Sequence, residues 1–202
     1  MDIVALLASF IYLVSSSLLL PMLLLLSLCT LWLVVYSGRF FALWLARRRL
    51  PPQNDPVAAL LARRLELFPG PVRSFAAAFA DTRGGPGGEA ALINLLRASE
   101  HRMWRSLDRL RLIIRIGPGL GLIGTLIPMG TGLAALSQGD LTRLSGDLVI
   151  AFTTTVVGMA LGLLSYFFFT VQKRWVEEDV RHMELFAELF AGERRSTMED
   201  RP

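Results

Sequence analysis

Charged side chains are scarce in this sequence, and their absence from three long stretches excludes an ordinary soluble globular fold. Charged residues make up 19% of the chain, whereas hydrophobic residues make up 53%. No Lys, Arg, Asp or Glu occurs in residues 3–38, 116–139 or 148–172. Each stretch is longer than the roughly 20 apolar residues that a helix needs to cross a bilayer. The sequence therefore predicts three transmembrane helices.

Residues that carry enzymatic chemistry are also few. The single cysteine, Cys29, lies in the first apolar stretch and has no second thiol in this chain, so we interpret it as a packing residue. The two histidines, His101 and His182, have no nucleophile or metal-ligand spacing near them, and no phosphate-binding loop occurs. We therefore expect no enzymatic activity, no metal and no cofactor. No segment alternates like a strand, which predicts an all-α integral membrane protein.

The basic residues lie on one side of the predicted spans. Residues 39–115 hold fourteen arginines and the tail after Gln172 holds six basic residues, but the turn at 137–147 holds only Arg143. Since basic flanks stay in the cytoplasm, we expect the amino terminus outside and the large loop and carboxyl terminus inside. We expect a multi-pass protein of the bacterial inner membrane with this topology. The topology also explains the net charge of +4 without a nucleic-acid partner.

The first apolar stretch is longer than one perpendicular helix requires. Ser15 to Ser17 and Pro21 interrupt it, so we interpret it as a helix at the outer face up to about Ser15 and a spanning helix from Leu18 to about Trp44. A single tilted helix is the alternative. Because a basic first region is lacking, we expect the stretch to be retained as an anchor and not cleaved as a signal peptide.

Proline and glycine mark the domain boundaries. We predict an N-terminal part at 1–48, a cytoplasmic helical loop at 49–88, a channel domain at 89–193 and a disordered tail at 194–202. The loop ends in RGGPGG at 83–88, after which a long helix is predicted from Glu89 to about Leu136. Apolar residues recur at helical spacing on both sides of the hairpin formed by the second and third spans, so we expect long cytoplasmic extensions that pack together.

Small residues are concentrated in the second and third spans. Gly117 and Gly121 stand four residues apart in the second span, as do Gly158 and Gly162 in the third. This spacing lets helix backbones approach each other closely in membranes. We therefore assign helix packing to five glycines: Gly117, Gly121, Gly124, Gly158 and Gly162.

Hydroxyl groups are the polar side chains of these spans. Thr153, Thr154 and Thr155 cover about 200° of the third helix, so at least one of them is expected to point toward another helix or a polar lumen. Thr125 lies at a similar depth in the second span. Neither span contains a group that titrates, and a proton carrier requires one. If ions move, a partner chain must supply the acid.

Two motifs in these spans resemble those of the MotA/TolQ/ExbB proton channel family. Gly117-Pro118 followed by GLIGT at 121–125 is similar to the family element Pro-x-x-Gly-Leu-x-Gly-Thr, and AFTTTVVG at 151–158 is similar to Ala-Leu-x-x-Thr-x-x-Gly. The resemblance covers about a third of the chain, from about Glu100 to Tyr166. One position differs, because Ile150 stands where the ExbB and TolQ branches have a glutamate.

The resemblance implies a function. Proteins of this family form a ring of five copies around two copies of a single-span ExbD-, TolR- or MotB-like partner whose membrane aspartate binds the ion. The resemblance also implies that Thr125 and Thr155 line the ion pathway, and we add Thr154 to these two residues. The transported ion is H⁺ or Na⁺, and an envelope-energising role is favoured because the loop at 49–83 is short. The alternative function is a non-conducting oligomeric membrane scaffold.

Overall fold

A computed structural model of the chain describes residues 3–51, 56–62, 64–82 and 88–199, and these residues are helical with short connections. Three helices are long: α1 (Ile3–Arg48), α4 (Gly88–Leu136) and α5 (Leu141–Glu199). Two short helices lie between them, α2 (Pro56–Leu61) and α3 (Gly70–Thr82), with a single 3₁₀ turn at Leu65–Leu67. The all-α prediction is confirmed for the described residues.

Three helices are long and apolar enough to cross a membrane. The candidate spans are Ser9–Arg48, Ala90–Leu136 and Leu141–Leu189. Large apolar side chains on these helices are exposed, such as Phe152 at 65%. Exposed apolar surface of this extent is what a lipid-facing helix presents. The prediction of three membrane-spanning helices is thus confirmed at the level of length and composition.

Helix α1 decides between the two interpretations of the first apolar stretch. It runs without interruption from Ile3 to Arg48, with Pro21 inside it. The division into two helices was therefore wrong, and the single-helix alternative is the one observed. Ser16 and Ser17 both donate to the carbonyl of Leu13, at 3.0 and 2.9 Å. Such bonds satisfy serine hydroxyls within a continuous membrane helix, so a serine run need not end it.

The limits predicted for the second long helix agree with those of α4 to within a residue. Helix α4 begins at Gly88 and ends at Leu136, as the glycine-rich break and the following pattern predicted; residues 83–87 of that break lie outside the described residues. Helix α5 continues to Glu199, past the domain boundary placed at 193. The disorder predicted for 194–202 stays a prediction.

The chain divides into two compact units, each built from parts of α1, α4 and α5. The first unit comprises the described residues of 1–39 together with Arg109–Phe169. The second unit comprises the described residues of 40–108 and of 170–202. We call them the hairpin unit and the helical-core unit, since the first contains the turn between α4 and α5 and the second contains a hydrophobic core.

The helical-core unit is held together by aromatic and aliphatic side chains from α2, α3, α4 and α5. Phe75 and Phe79 of α3 both make edge-to-face contacts with Phe186 of α5, at ring-centroid distances of 5.9 and 5.7 Å. Leu92 of α4 and Met183 of α5, both on the predicted apolar stripes, are buried in the same core. The apolar residues that recur at helical spacing therefore mark the faces along which α4 and α5 pack in this unit.

The hairpin unit contains the turn at 137–140, where Gly139 adopts a φ of +77°. Only glycine takes this left-handed conformation without strain, which explains why the reversal occurs here. Asp140 then accepts a hydrogen bond from the backbone amide of Arg143 at 3.0 Å and so caps α5. These features bring the two helices back alongside each other and set which residues meet.

Candidate functional site

Two threonines predicted to line the ion pathway meet across the contact between α4 and α5. The hydroxyls of Thr125 and Thr155 are hydrogen-bonded to each other, and both residues are half-buried. Thr125 is also 2.9 Å from the carbonyl oxygen of Gly121, and Thr155 is 3.1 Å from that of Ala151. We call this arrangement of two hydroxyls and two carbonyls the threonine pair.

The chemistry of the threonine pair follows from its groups. Each hydroxyl has one hydrogen to donate and two lone pairs to accept with, so it can exchange partners by rotating about its Cβ–Oγ bond. Thr125 reaches the carbonyl of Ala151 as well, at 3.5 Å across the helix contact. The pair thus offers oxygen atoms to a cation or a hydrogen-bond relay to a proton. It has no titratable group of its own.

The other two threonines of the run point elsewhere. Thr153 is exposed and donates to the carbonyl of Val149 at 2.7 Å. Thr154 is only 5% exposed and donates to the backbone of its own helix, at 3.0 Å from Ile150 and 2.9 Å from Ala151. The structure therefore brings Thr155 to Thr125, whereas Thr154 is buried and donates to carbonyls of its own helix. Its role in the ion pathway stays a prediction.

The glycines assigned to packing all lie in the contact between α4 and α5. A Cβ added at Gly158 would lie 2.6 Å from the Cα and 2.8 Å from the amide nitrogen of Gly121. At Gly117 it would lie 3.1 Å from the carbonyl oxygen of Gly158. Since real Cβ atoms avoid contacts below 3.0 Å, the two backbones touch here without room for a side chain.

Gly124 and Gly162 extend the same contact in both directions. A Cβ at Gly124 would lie 2.8 Å from the Cβ of Thr154, and one at Gly162 would lie 2.9 Å from the Cγ of Pro118. By contrast, Gly119 has nothing within 4 Å of an added Cβ. The contact is therefore specific to one face of each helix, and it holds the threonine pair in register.

Two prolines inside α4 leave carbonyl oxygens along this contact without their usual partners. Pro118 and Pro128 lie within the helix. A proline has no amide hydrogen, so the carbonyls four residues earlier, at Ile114 and Gly124, lose the helical bond that would satisfy them. Pro128 itself is fully buried. Two carbonyl oxygens of α4 therefore lack the amide donor that an unbroken helix would give them.

A second polar contact in the hairpin unit was missed by sequence reasoning. The hydroxyl of Thr131 donates to Oδ2 of Asp147 at 2.8 Å, and both residues are half-buried. In the sequence, Asp147 stands out only as the last charged residue before the third uncharged stretch. The available signal was helical spacing, since Asp147, Ala151 and Thr155 follow each other at four-residue steps.

The helical-core unit contains a buried ion pair that the sequence did not predict. A guanidinium nitrogen of Arg47 in α1 bonds to Oδ2 of Asp179 in α5, and Asp179 is 1% exposed. The guanidinium also lies over the ring of Trp175, 5.1 Å from its centroid. These residues line a cavity of about 320 Å³ whose other walls are mainly apolar. The pair joins the end of α1 to the interior of α5 within this unit.

The histidines take part in no metal-like cluster within the described residues. His182 contacts the ring of Phe68 at a centroid distance of 5.3 Å, and His101 is exposed. In the part of the chain that the structure describes, no three His, Cys, Asp or Glu side chains are grouped so that they would hold a metal ion. In the hairpin unit, the polar groups that meet between α4 and α5 are threonine hydroxyls, backbone carbonyls and the carboxylate of Asp147.

A known protein family matches a region of the chain that contributes to both units. The profile of the MotA/TolQ/ExbB proton channel family matches residues 73–185, which is more than half of the chain. The chain belongs to the MotA/TolQ/ExbB proton channel family. The match includes all of α4 and α5 up to Leu185, and so it contains the threonine pair and all five packing glycines.

A relative with a curated description points the same way. A protein of Methanothermobacter thermautotrophicus described as a biopolymer transport protein ExbB homolog is 26% identical over 102 residues. The aligned region covers 50% of this chain but only 37% of that relative's length. No solved structure matches the chain. Membership of the MotA/TolQ/ExbB family supports an ion-channel type of energiser subunit.

Proposed function

We propose that this chain is the channel-forming subunit of a complex driven by an ion gradient across the membrane, in which α4 and α5 line the ion pathway. The observation that carries the proposal is the threonine pair, because it places two hydroxyls and two backbone carbonyls together inside a segment that otherwise faces lipid. Oxygen ligands of this kind replace the hydration of an ion at membrane depth. The transported ion is H⁺ or Na⁺.

The rigidity of the hairpin supports the same function. Pathway ligands must keep their spacing while an ion passes, and the direct backbone contact of Gly121 with Gly158 fixes the two helices against each other. The threonine pair lies one turn from this contact on each helix. Its half-buried state leaves one side of the pair open to groups outside the chain.

A partner must supply the titratable group. The uncharged stretches at 116–139 and 148–172 contain no acid that would take up and release a proton. We propose that five copies of the chain surround two copies of a single-span ExbD-, TolR- or MotB-like partner, whose membrane aspartate meets the threonine pair. The complex would lie in the bacterial inner membrane with the amino termini outside and the carboxyl termini in the cytoplasm.

The decisive experiment combines assembly with ion flux. The chain is co-expressed with a single-span partner that carries a membrane aspartate, and the purified complex is weighed by native mass spectrometry and reconstituted in liposomes. We expect a five-to-two assembly that passes ions. A chain that stays monomeric, or an assembled complex without any flux, would contradict the proposal.

The role of the threonine pair has its own test. Thr155→Val removes the hydroxyl that meets Thr125 and keeps the shape of the side chain, so assembly should survive while ion-coupled flux falls by at least tenfold. Thr153→Val is the matched control, because Thr153 stands two residues before Thr155 and its hydroxyl donates to the backbone of its own helix. Equal flux in the two variants would remove Thr155 from the pathway.

A non-conducting scaffold is the second candidate function, and the glycine contacts favour it because close packing alone would explain them. In that case the Gly121–Gly158 contact would matter for assembly, whereas Thr155→Val would change nothing. Liposome flux of the assembled wild-type complex distinguishes the two functions directly.

A further inference from the structure

The polar groups between α4 and α5 continue from the threonine pair toward the turn at 137–140. Thr131 donates to Oδ2 of Asp147 at 2.8 Å, and this bond joins the two helices near the turn. Thr131 Oγ1 is also 3.0 Å from the carbonyl oxygen of Pro128. A carboxylate, a hydroxyl and a carbonyl thus converge within the hairpin unit.

Residues of both α4 and α5 determine where the carboxylate of Asp147 lies. Asp147 lies only six residues after the start of α5, where a carboxylate on another face would reach water, yet it turns toward α4. A Cβ added at Gly132 would lie 3.3 Å from the Cβ of Asp147 and 3.1 Å from Cδ1 of Leu144. Gly132 therefore leaves the space into which Asp147 fits. Thr131, the neighbouring residue, then supplies the hydrogen bond that holds the carboxylate.

The carboxylate and the threonine pair lie on one face of α5. Asp147, Ala151 and Thr155 are spaced by four residues, so about 12 Å separates the ends of the series at 1.5 Å per residue. The carbonyl of Ala151 lies between them and reaches both Thr125 and Thr155. Asp147, the carbonyl of Ala151 and the threonine pair therefore place oxygen atoms along one face of α5.

We propose that Asp147, held by Thr131, is the ion-collecting site at the end of the pathway nearest the turn. This inference rests on the proposed function, and it adds an anionic group that this chain itself contributes. The carboxylate would attract H⁺ or Na⁺ and pass it to the acceptor oxygens below. A negatively charged mouth with apolar walls raises the local concentration and arrival rate of cations.

The charges around Asp147 are few, which makes its effect measurable. On its own helix, Arg143 stands one turn earlier and Asp140 caps the helix start. On α4, residues 116–136 carry no Lys, Arg, His, Asp or Glu, and α1 carries none from 3 to 38. Removing the carboxylate therefore changes the net charge near the turn without breaking another ion pair in the described residues.

The test measures how flux depends on ion concentration in the reconstituted complex with its single-span partner. Asp147→Asn should lower flux by about tenfold at limiting ion concentration, because electrostatic focusing is worth about 10- to 1,000-fold in arrival rate. Flux at saturating ion should stay near the wild-type value. The defect should also shrink as an impermeant salt screens the carboxylate.

Asp140→Asn is the matched control, since it removes a carboxylate near the same turn and asparagine caps a helix as well as aspartate does. Its flux should equal that of the wild type at every ion concentration. Equal flux in Asp147→Asn and wild type overturns the proposal, and so does an equal loss in Asp147→Asn and Asp140→Asn. A wild-type complex without flux overturns the proposed function instead.

A second variant decides the case if Asp147→Asn does not assemble. Thr131→Val removes the hydrogen bond and keeps the carboxylate, whereas Thr131→Ser keeps both. We expect several-fold lower flux at limiting ion in Thr131→Val and wild-type flux in Thr131→Ser. The same flux in both variants overturns the proposal.

Discussion

The contact between Gly121 and Gly158 allows a sharp test of how the hairpin is built. In Gly158→Ala, the new Cβ would lie 2.6 Å from the Cα of Gly121 and 2.7 Å from the carbonyl oxygen of Gly117. Both neighbours are backbone atoms, so no side chain can rotate away. To restore the 3.4 Å of ordinary contact, the helices must separate here by about 0.8 Å.

This separation has a cost in stability that can be bounded. Inserting a methyl group into a closely packed contact typically costs about 1 to 3 kcal/mol. Alanine is a better helix former than glycine by about 1 kcal/mol, which offsets part of the penalty. We therefore expect Gly158→Ala to lower the free energy of unfolding by up to about 2 kcal/mol and to weaken the hydrogen bond between Thr125 and Thr155.

The assay is reversible unfolding in mixed detergent and dodecyl sulfate micelles, followed by tryptophan fluorescence. Gly119→Ala and Gly146→Ala are the controls, because an added Cβ meets nothing within 4 Å at either position. Both should be neutral or slightly stabilising. If Gly158→Ala is as stable as these two variants, the backbone contact does not hold the hairpin and the reasoning fails.

Two further predictions concern the helical-core unit. Arg47→Met leaves the carboxylate of Asp179 buried without its partner and should lower the free energy of unfolding by about 3 kcal/mol. The control Lys173→Met removes one side of the half-exposed pair with Glu177 and should cost less than about 1 kcal/mol. Equal costs would show that burial does not matter here. Leu60 is 1% exposed, so Leu60→Ala should lower the free energy of unfolding by about 2 to 5 kcal/mol. Its neighbour Leu61 is 59% exposed, and Leu61→Ala should be close to neutral. Chemical unfolding of both variants measures the difference, and similar midpoints would contradict the assignment of this core.

Local features of the sequence predicted the helices well. The distances between charges located the three membrane-spanning stretches, and the glycine-rich segment at 83–88 located the start of α4 at Gly88. These features act over one or two helical turns, through hydrophobic length and backbone preference, so they can be interpreted without the fold. The first stretch is the exception. Serines and a proline suggested a break, but the serines bond their own helix and Pro21 is accommodated inside α1.

Within the site, the sequence named the right chemistry and the structure chose the partners. Three adjacent threonines are equivalent by composition, and only the rotation of α5 against α4 decides that Thr155 meets Thr125 while Thr154 packs on Gly124. The family resemblance pointed to the same two threonines from motif position. For Asp147, the four-residue spacing to Ala151 and Thr155 indicates the face of α5, but only the packing of α5 against α4 brings its carboxylate to Thr131.

The sequence by itself determined that the chain is helical, that three of its stretches are long and apolar enough to cross a membrane, and that it belongs to the MotA/TolQ/ExbB family, because apolar length, charge distribution and short motifs are properties of consecutive residues. Only the tertiary structure decided which groups meet. The bond between Thr131 and Asp147 joins residues 16 apart, and the pair of Arg47 and Asp179 joins residues 132 apart. Such contacts depend on where Gly139 reverses the chain and on how closely glycines let the helices pack, so they follow from the fold.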